Sequence, residues 1–272
     1  MTYPGTVDMV KISKIRYLVH LSVLVAAALG LSACGGGGGS SSAGSPNGIY
    51  TGSITGGQVN FNGGEKAVIY NGKMLLFSMP GGMQQIFDMP FTQNGKNING
   101  KISISNNSIP FFGTTTATGS FVAGQSVDLS FTDILKKNTS IVLSGTTPGT
   151  INLVTKTAGY NQGSNLNLLD NATWTGVHGG FNESTTITFT STGDISGATT
   201  NEGCAFTGTT SIPDSTKNLY IISVVTSDET NCVSLPPSTY NGFAWFDEGD
   251  NNTLNFVVSD GSYARAIVLT RN

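Results

Sequence analysis

Two dipeptides constrain this chain more than any other feature. Asn71-Gly72 stands between Ala67-Val68-Ile69-Tyr70 and Met74-Leu75-Leu76-Phe77, and Asp260-Gly261 stands between residues 254–258 and 263–269. Asn-Gly and Asp-Gly accept the positive φ angles of tight hairpin turns, and the runs beside them are rich in β-branched and aromatic residues. No long stretch carries a sustained 3.6-residue apolar period. Val127, Leu129 and Phe131 alternate with Asp128 and Ser130, and Ile187 and Phe189 alternate with Thr186, Thr188 and Thr190. That is the pattern of strands with one buried and one wet face. The chain is therefore expected to be all-β. Helices are expected to be short, at residues 132–137 and at 164–169, the second with Ser164 as N-cap.

An internal echo divides the chain. Gly48-Ile49-Tyr50-Thr51-Gly52, followed by Gly56-Gly57, matches Ala172-Thr173-Trp174-Thr175-Gly176, followed by Gly179-Gly180. Each copy reads as the first strand of a domain, its aromatic closing one end and its glycine letting the strand bend; chance matching in a Gly- and Thr-rich chain is the alternative. The boundary falls in YNQGSNLNLLDN, which suits a connector with one short helix. The expected organisation is a discarded segment over 1–33, a tether over 34–47, a β domain over 48–159, a connector over 160–171 and a second β domain over 172–272. Each half has enough strands for an antiparallel β-barrel or β-sandwich. The opening aromatics near glycines resemble the first strand of lipocalin-like (calycin) barrels, and the layout resembles Gram-negative lipoproteins carrying such domains. The match departs from the lipocalin Gly-x-Trp pattern at Trp174, where Ala172 replaces the glycine.

The first 34 residues give an address. Lys11, Lys14 and Arg16 precede an apolar run from Tyr17 to Ala33 that ends in small residues, the layout of a secretory signal peptide. Met9-Val10-Lys11 opens a more typical signal than Met1, so translation is expected to begin at Met9. Leu31-Ser32-Ala33-Cys34 resembles the lipobox of bacterial lipoproteins, which implies cleavage before Cys34 and acylation of that cysteine. Two or more acyl chains anchor a protein stably where one is marginal. Gly35 stands where an aspartate retains such lipoproteins at the inner membrane, so the resemblance implies the outer membrane. The glycine run that follows resembles the tethers of surface-displayed lipoproteins of the transferrin-binding and factor-H-binding types. An uncleaved transmembrane helix is the alternative, because an apolar run of about 17 residues reaches the lower limit of a span.

Charge and cysteine content narrow the chemistry. Charged residues are 11% of the chain, a neutral polar composition unlike that of a nucleic-acid binder. Residues 35–169 hold seven basic and four acidic side chains, net +3, whereas 170–272 hold three and eleven, net −8. With Cys34 acylated, Cys204 and Cys232 remain, and an oxidising envelope favours a disulfide between them over two buried thiols.

Downstream of Cys34 the one histidine is His178, which excludes two-histidine metal sites and leaves a Ser-His-acid triad little support. No nucleophile elbow occurs, and the glycine patterns lack the strand-to-helix context of phosphate loops. Asp247-Glu248-Gly249-Asp250-Asn251-Asn252 offers hard oxygen ligands for calcium but lacks EF-hand spacing, and a solvated turn accounts for it. Met74, Met79, Met83 and Met89 could bind Cu(I), and adaptable core packing accounts for them as well. No catalytic, cofactor or metal residue is assigned. The expectation is a non-enzymatic, membrane-anchored protein that binds a protein, a small apolar ligand or a glycan. The alternatives are a periplasmic envelope-assembly partner, with the charge asymmetry orienting docking, and a glycan hydrolase using acidic groups alone.

Overall fold

Strands follow chain order around two closed meanders. The computed structural model describes residues 44–56, 64–78, 85–106, 109–132, 135–136, 148–177, 183–200, 203–226, 232 and 236–272, with backbone alone at 106, 109–112 and 135–136. The first meander contains β1 (Gly48–Thr55), β2 (Glu65–Tyr70), β3 (Lys73–Phe77), β4 (Gln85–Asn94), β5 (Asn97–Asn106), β6 (Ile109–Val122), β7 (Ser126–Phe131), β8 (Leu135–Lys136) and β9 (Gly149–Thr155). Every neighbouring pair is antiparallel; β9 pairs with both β7 and β1, and the β5–β6 pairing completes an eight-stranded barrel. The second contains β10 (Thr173–Val177), β11 (Ser184–Phe189), β12 (Asp194–Thr199), β13 (Ala205–Ser211), β14 (Tyr220–Thr226), β15 (Thr239–Asp247), β16 (Asp250–Ser259) and β17 (Ala264–Arg271), closed by β10 on β17. The choice between barrel and sandwich is thus resolved as two barrels. Among the described residues, closure leaves no long unpaired edge to be capped.

The echoed segments are the first strands of the two barrels, in the same register against the last. Tyr50 lies opposite Thr155 of β9, and Trp174 lies opposite Arg271 of β17. Both rings are fully buried, and each polar tip bonds a carbonyl just upstream: Tyr50 Oη donates to Pro46 O, and Trp174 Nε1 to Leu169 O at 3.0 Å. The incoming chain is thereby pinned across one end of each barrel. Two residues on, the glycines meet the closing strand. A Cβ on Gly52 would lie 2.0 Å from Asn152 O, and one on Gly176 would lie 2.4 Å from Val268 O. Any larger side chain would push the closing strand away.

The hairpin signals behave differently from one another. Asn71 and Gly72 both take positive φ, 49° and 76°, as a two-residue turn requires. At Asp260-Gly261 only Gly261 does so; the Asp260 carboxylate instead accepts from the backbone N–H of Ser262 and Tyr263, at 2.7 and 2.6 Å, and caps a longer turn. Two helix expectations need correction. Of residues 132–137, Leu135–Lys136 form β8, because the 14-residue β6 outruns β7 and the chain continues along its edge at Gly113 and Thr114. Over 164–169 only a 3-10 turn forms, at Leu166–Leu168, and its cap is Asn165, whose side chain accepts from Asn167 N at 2.9 Å, in place of Ser164. A four-residue helix, α1 (Thr157–Tyr160), precedes it.

Inward residues fill each barrel, and some outward residues are buried too. β7 and β11 alternate cleanly, whereas β3 buries four consecutive residues and β16 six. The outward set Val68, Leu75, Phe77 and Ile86 of the first barrel packs against Phe243, Trp245, Val257 and Ala266 of the second. Phe77 and Trp245 approach to 5.8 Å between ring centroids, and Tyr70 meets Phe243 edge-on at 6.2 Å. This seam is a third core, and through it the two tandem domains form one packed body.

Candidate functional site

A binding role requires a cavity or an exposed surface, and the barrel interiors decide between them. The first interior is occupied by its own side chains, among them Tyr50, Phe87, Phe121 and Phe131. Met74 and Met89 lie there too, buried and directly opposite each other on β3 and β4, so these two methionines serve as core packing. Met79 and Met83 lie outside the described residues. The second interior keeps a void of about 20 Å³ near Phe206, Tyr240 and Arg265. A void that size holds a single water at most, and a carried ligand needs hundreds of Å³.

Buried phenols hold the ends of these interiors. Burial raises the Tyr50 hydroxyl to about 12, with a smaller contribution from Tyr160, and raises Tyr220 likewise to about 12. Burial also raises Tyr240, ahead of repulsion from Asp260. All three are therefore neutral donors at physiological pH. Tyr220 Oη donates to Asn165 O at 3.1 Å and Tyr240 Oη to Pro236 O at 2.9 Å, so each ties a connecting segment across a barrel end.

Cys204 and Cys232 form a disulfide. It links the β12–β13 and β14–β15 connections at the end of the second barrel opposite Trp174, and Cys204 N donates to Thr199 Oγ1 at 3.2 Å. Within 247–252 the chain turns at Glu248-Gly249 between β15 and β16, and the Asp247 and Asp250 carboxylates are committed. Lys66 Nζ of the first barrel reaches Asp247 Oδ1 at 2.7 Å, Asp247 Oδ2 at 2.9 Å and Asn255 Oδ1 at 2.9 Å. Asp250 accepts from Thr253 Oγ1 at 2.6 Å and Asn252 N at 2.7 Å. Asp247 therefore belongs to a polar clamp across the seam. Among the described residues no three His, Cys, Asp or Glu side chains converge as a metal site would need.

No family model matches this chain, and neither does any curated protein or solved structure. Cys34 and His178 lie outside the described residues. Among the described residues no helix is long and apolar enough to cross a membrane.

Among the described residues, two open clefts lie on the exterior of the first barrel. One, of about 290 Å³, lies between Ser45-Pro46-Asn47 and Asn71-Gly72, with Phe91 and Gln93 on its floor. The other, of about 480 Å³, runs over Pro90, Phe91, Asn99, Lys101 and Thr116. Neither is lined by an Asp or Glu, so neither supplies the facing carboxylate pair of a glycosidase. The seam was missed in the sequence, although its signal was present. Met74-Leu75-Leu76-Phe77 and Phe256-Val257-Val258 are continuous apolar runs, which mark strands covered on both faces.

Proposed function

We propose that this protein is an acylated outer-membrane lipoprotein, anchored through Cys34, that works by contacts on its exterior and not by catalysis or by carrying a ligand inside a barrel. The observation that supports exterior contact is the packing of both interiors, with a void of only about 20 Å³ in the second. Leu31-Ser32-Ala33-Cys34 and the glycine-serine run behind it support the anchor. A fused double barrel presents a broad, rigid surface at little ordering cost on binding. The charge difference, net +3 before residue 170 and −8 after it, gives that surface a direction in which a partner can dock.

The test has two arms. Titration with an apolar fluorescent probe is expected to show no saturable uptake, and one tight site per chain would contradict the packed-interior reading. A photo-cross-linker in place of exposed Thr188, on the outer face of β11, is expected to capture an envelope protein in living cells. Failure to trap any partner there or at other exposed outer-face positions would contradict exterior contact.

A further inference from the structure

We propose that the end of the first barrel from which the tether departs is a membrane-facing surface, seated on anionic phospholipid headgroups. The proposal rests on acylation of Cys34 as proposed above.

Covalent connectivity places this end near the bilayer. Residues 44–47 lie across it: Gln93 Nε2 donates to Gly44 O at 3.0 Å, and Asn71 N donates to Asn47 Oδ1 at 3.2 Å. Pro46 is buried, and its carbonyl accepts the Tyr50 hydroxyl. Cys34 precedes Gly44 by ten residues. Ten residues reach roughly 35 Å even when fully extended, so an acylated Cys34 holds this barrel end within about that distance of the headgroups.

The side chains at that end suit an anionic surface. It is built from residues 44–47, 71–72, 93–96, 122–125 and 154–157, which carry exposed Lys96 and Lys156 and contain no Asp or Glu. Lys156 adjoins the 122–125 turn, because Thr155 N donates to Gln125 O and Thr157 Oγ1 to Gly124 O. Val122 and Val154, 43% and 63% exposed, lie opposite Ser126 on its two sides, a pair of apolar contacts beside the lysines. The cleft at Asn47, Asn71 and Gln93 opens between the same segments and presents amides to polar headgroups. Carboxylates flank the region: Asp88 is held by Lys73 of β3 at 3.3 Å, and Asp214 acts on Tyr160 just past the 154–157 segment. Asp128 lies further along β7, and Glu248 packs against Gly159 on the seam side. The net charge of −8 after residue 170 favours seating through the first barrel over seating through the second.

The test uses the full mature, acylated protein on vesicles of phosphatidylglycerol and, separately, of phosphatidylcholine, followed by backbone hydrogen exchange. On the anionic vesicles at low salt, amides 93–96 and 122–125 are expected to exchange more slowly than on the zwitterionic ones, and 190–194 of the second barrel to be unchanged. Because surface charge is screened within about 10 Å at 0.1 M salt, half-molar salt is expected to remove the difference. Lys96→Glu with Lys156→Glu is expected to weaken the seating by at least roughly 30-fold, the effect of two lysines near an anionic surface, with an unchanged melting temperature. Equal exchange on both vesicle types, or protection centred on the second barrel, overturns this proposal and leaves the anchor standing. Failure of the protein to float with any vesicle overturns both.

Discussion

Replacing Trp245 with alanine is expected to destabilise the protein by about 3–5 kcal/mol, the range for deleting a fully buried aromatic side chain. Trp245 is 1% exposed, yet it points away from its own barrel and into the seam against Phe77. Its loss should therefore change the manner of unfolding as well as its midpoint. In the parent, opening either barrel exposes the seam of the other, so urea is expected to unfold both in one transition. In Trp245→Ala the coupling is weakened, and the two barrels should separate into two transitions. The chain has two tryptophans, both in the second barrel, so the variant leaves Trp174 as the sole indole reporter there. Far-ultraviolet circular dichroism reports both barrels. Divergence of the two signals marks uncoupling, because coincident probes are the signature of a single transition. Coincident curves with a loss under about 1 kcal/mol would show that the seam is not a core.

Cys204→Ser with Cys232→Ser is expected to cost roughly 3–4 kcal/mol, the chain-entropy value for a closed loop of about 29 residues. Both sulfur-bearing residues are buried, and the bridge spans two successive connections at the end of the second barrel remote from Trp174. The measurement is the urea midpoint with and without reductant. The parent should fall towards the double variant when reduced, and the variant should not respond. An unchanged midpoint in the variant would mean that the bridge constrains little in the unfolded chain.

What could be read from the sequence was local. Alternation at Val127-Leu129-Phe131 and Ile187-Phe189 identified strands and their inward faces, since a two-residue period admits one core side. The Tyr50 and Trp174 echo located the first strand of each barrel, because an aromatic with a glycine two residues later meets one structural need twice, end closure and close approach of the last strand. Closure itself was not legible. It depends on pairings such as Tyr50 with Thr155, more than a hundred residues apart. The expected helix at 132–137 failed because nothing local announces that β6 is long enough to capture Leu135–Lys136. The seam was partly legible in the unbroken apolar runs, but which run meets which is a tertiary fact. Nothing in the sequence singles out Lys66, and only the fold brings it to Asp247 and Asn255. The partners of the Asp247 and Asp250 carboxylates, Asn255 and Thr253, are likewise set by the pairing of β15 with β16.

Acylation of Cys34 is tested most directly by intact mass spectrometry of the protein extracted from the membrane fraction. The expected species begins at Cys34, lacks residues 1–33 and carries the added mass of two or more acyl chains. A chain that retains Leu31-Ser32-Ala33 ahead of an unmodified Cys34 would contradict it, and the membrane-facing role of the first barrel would fall with it.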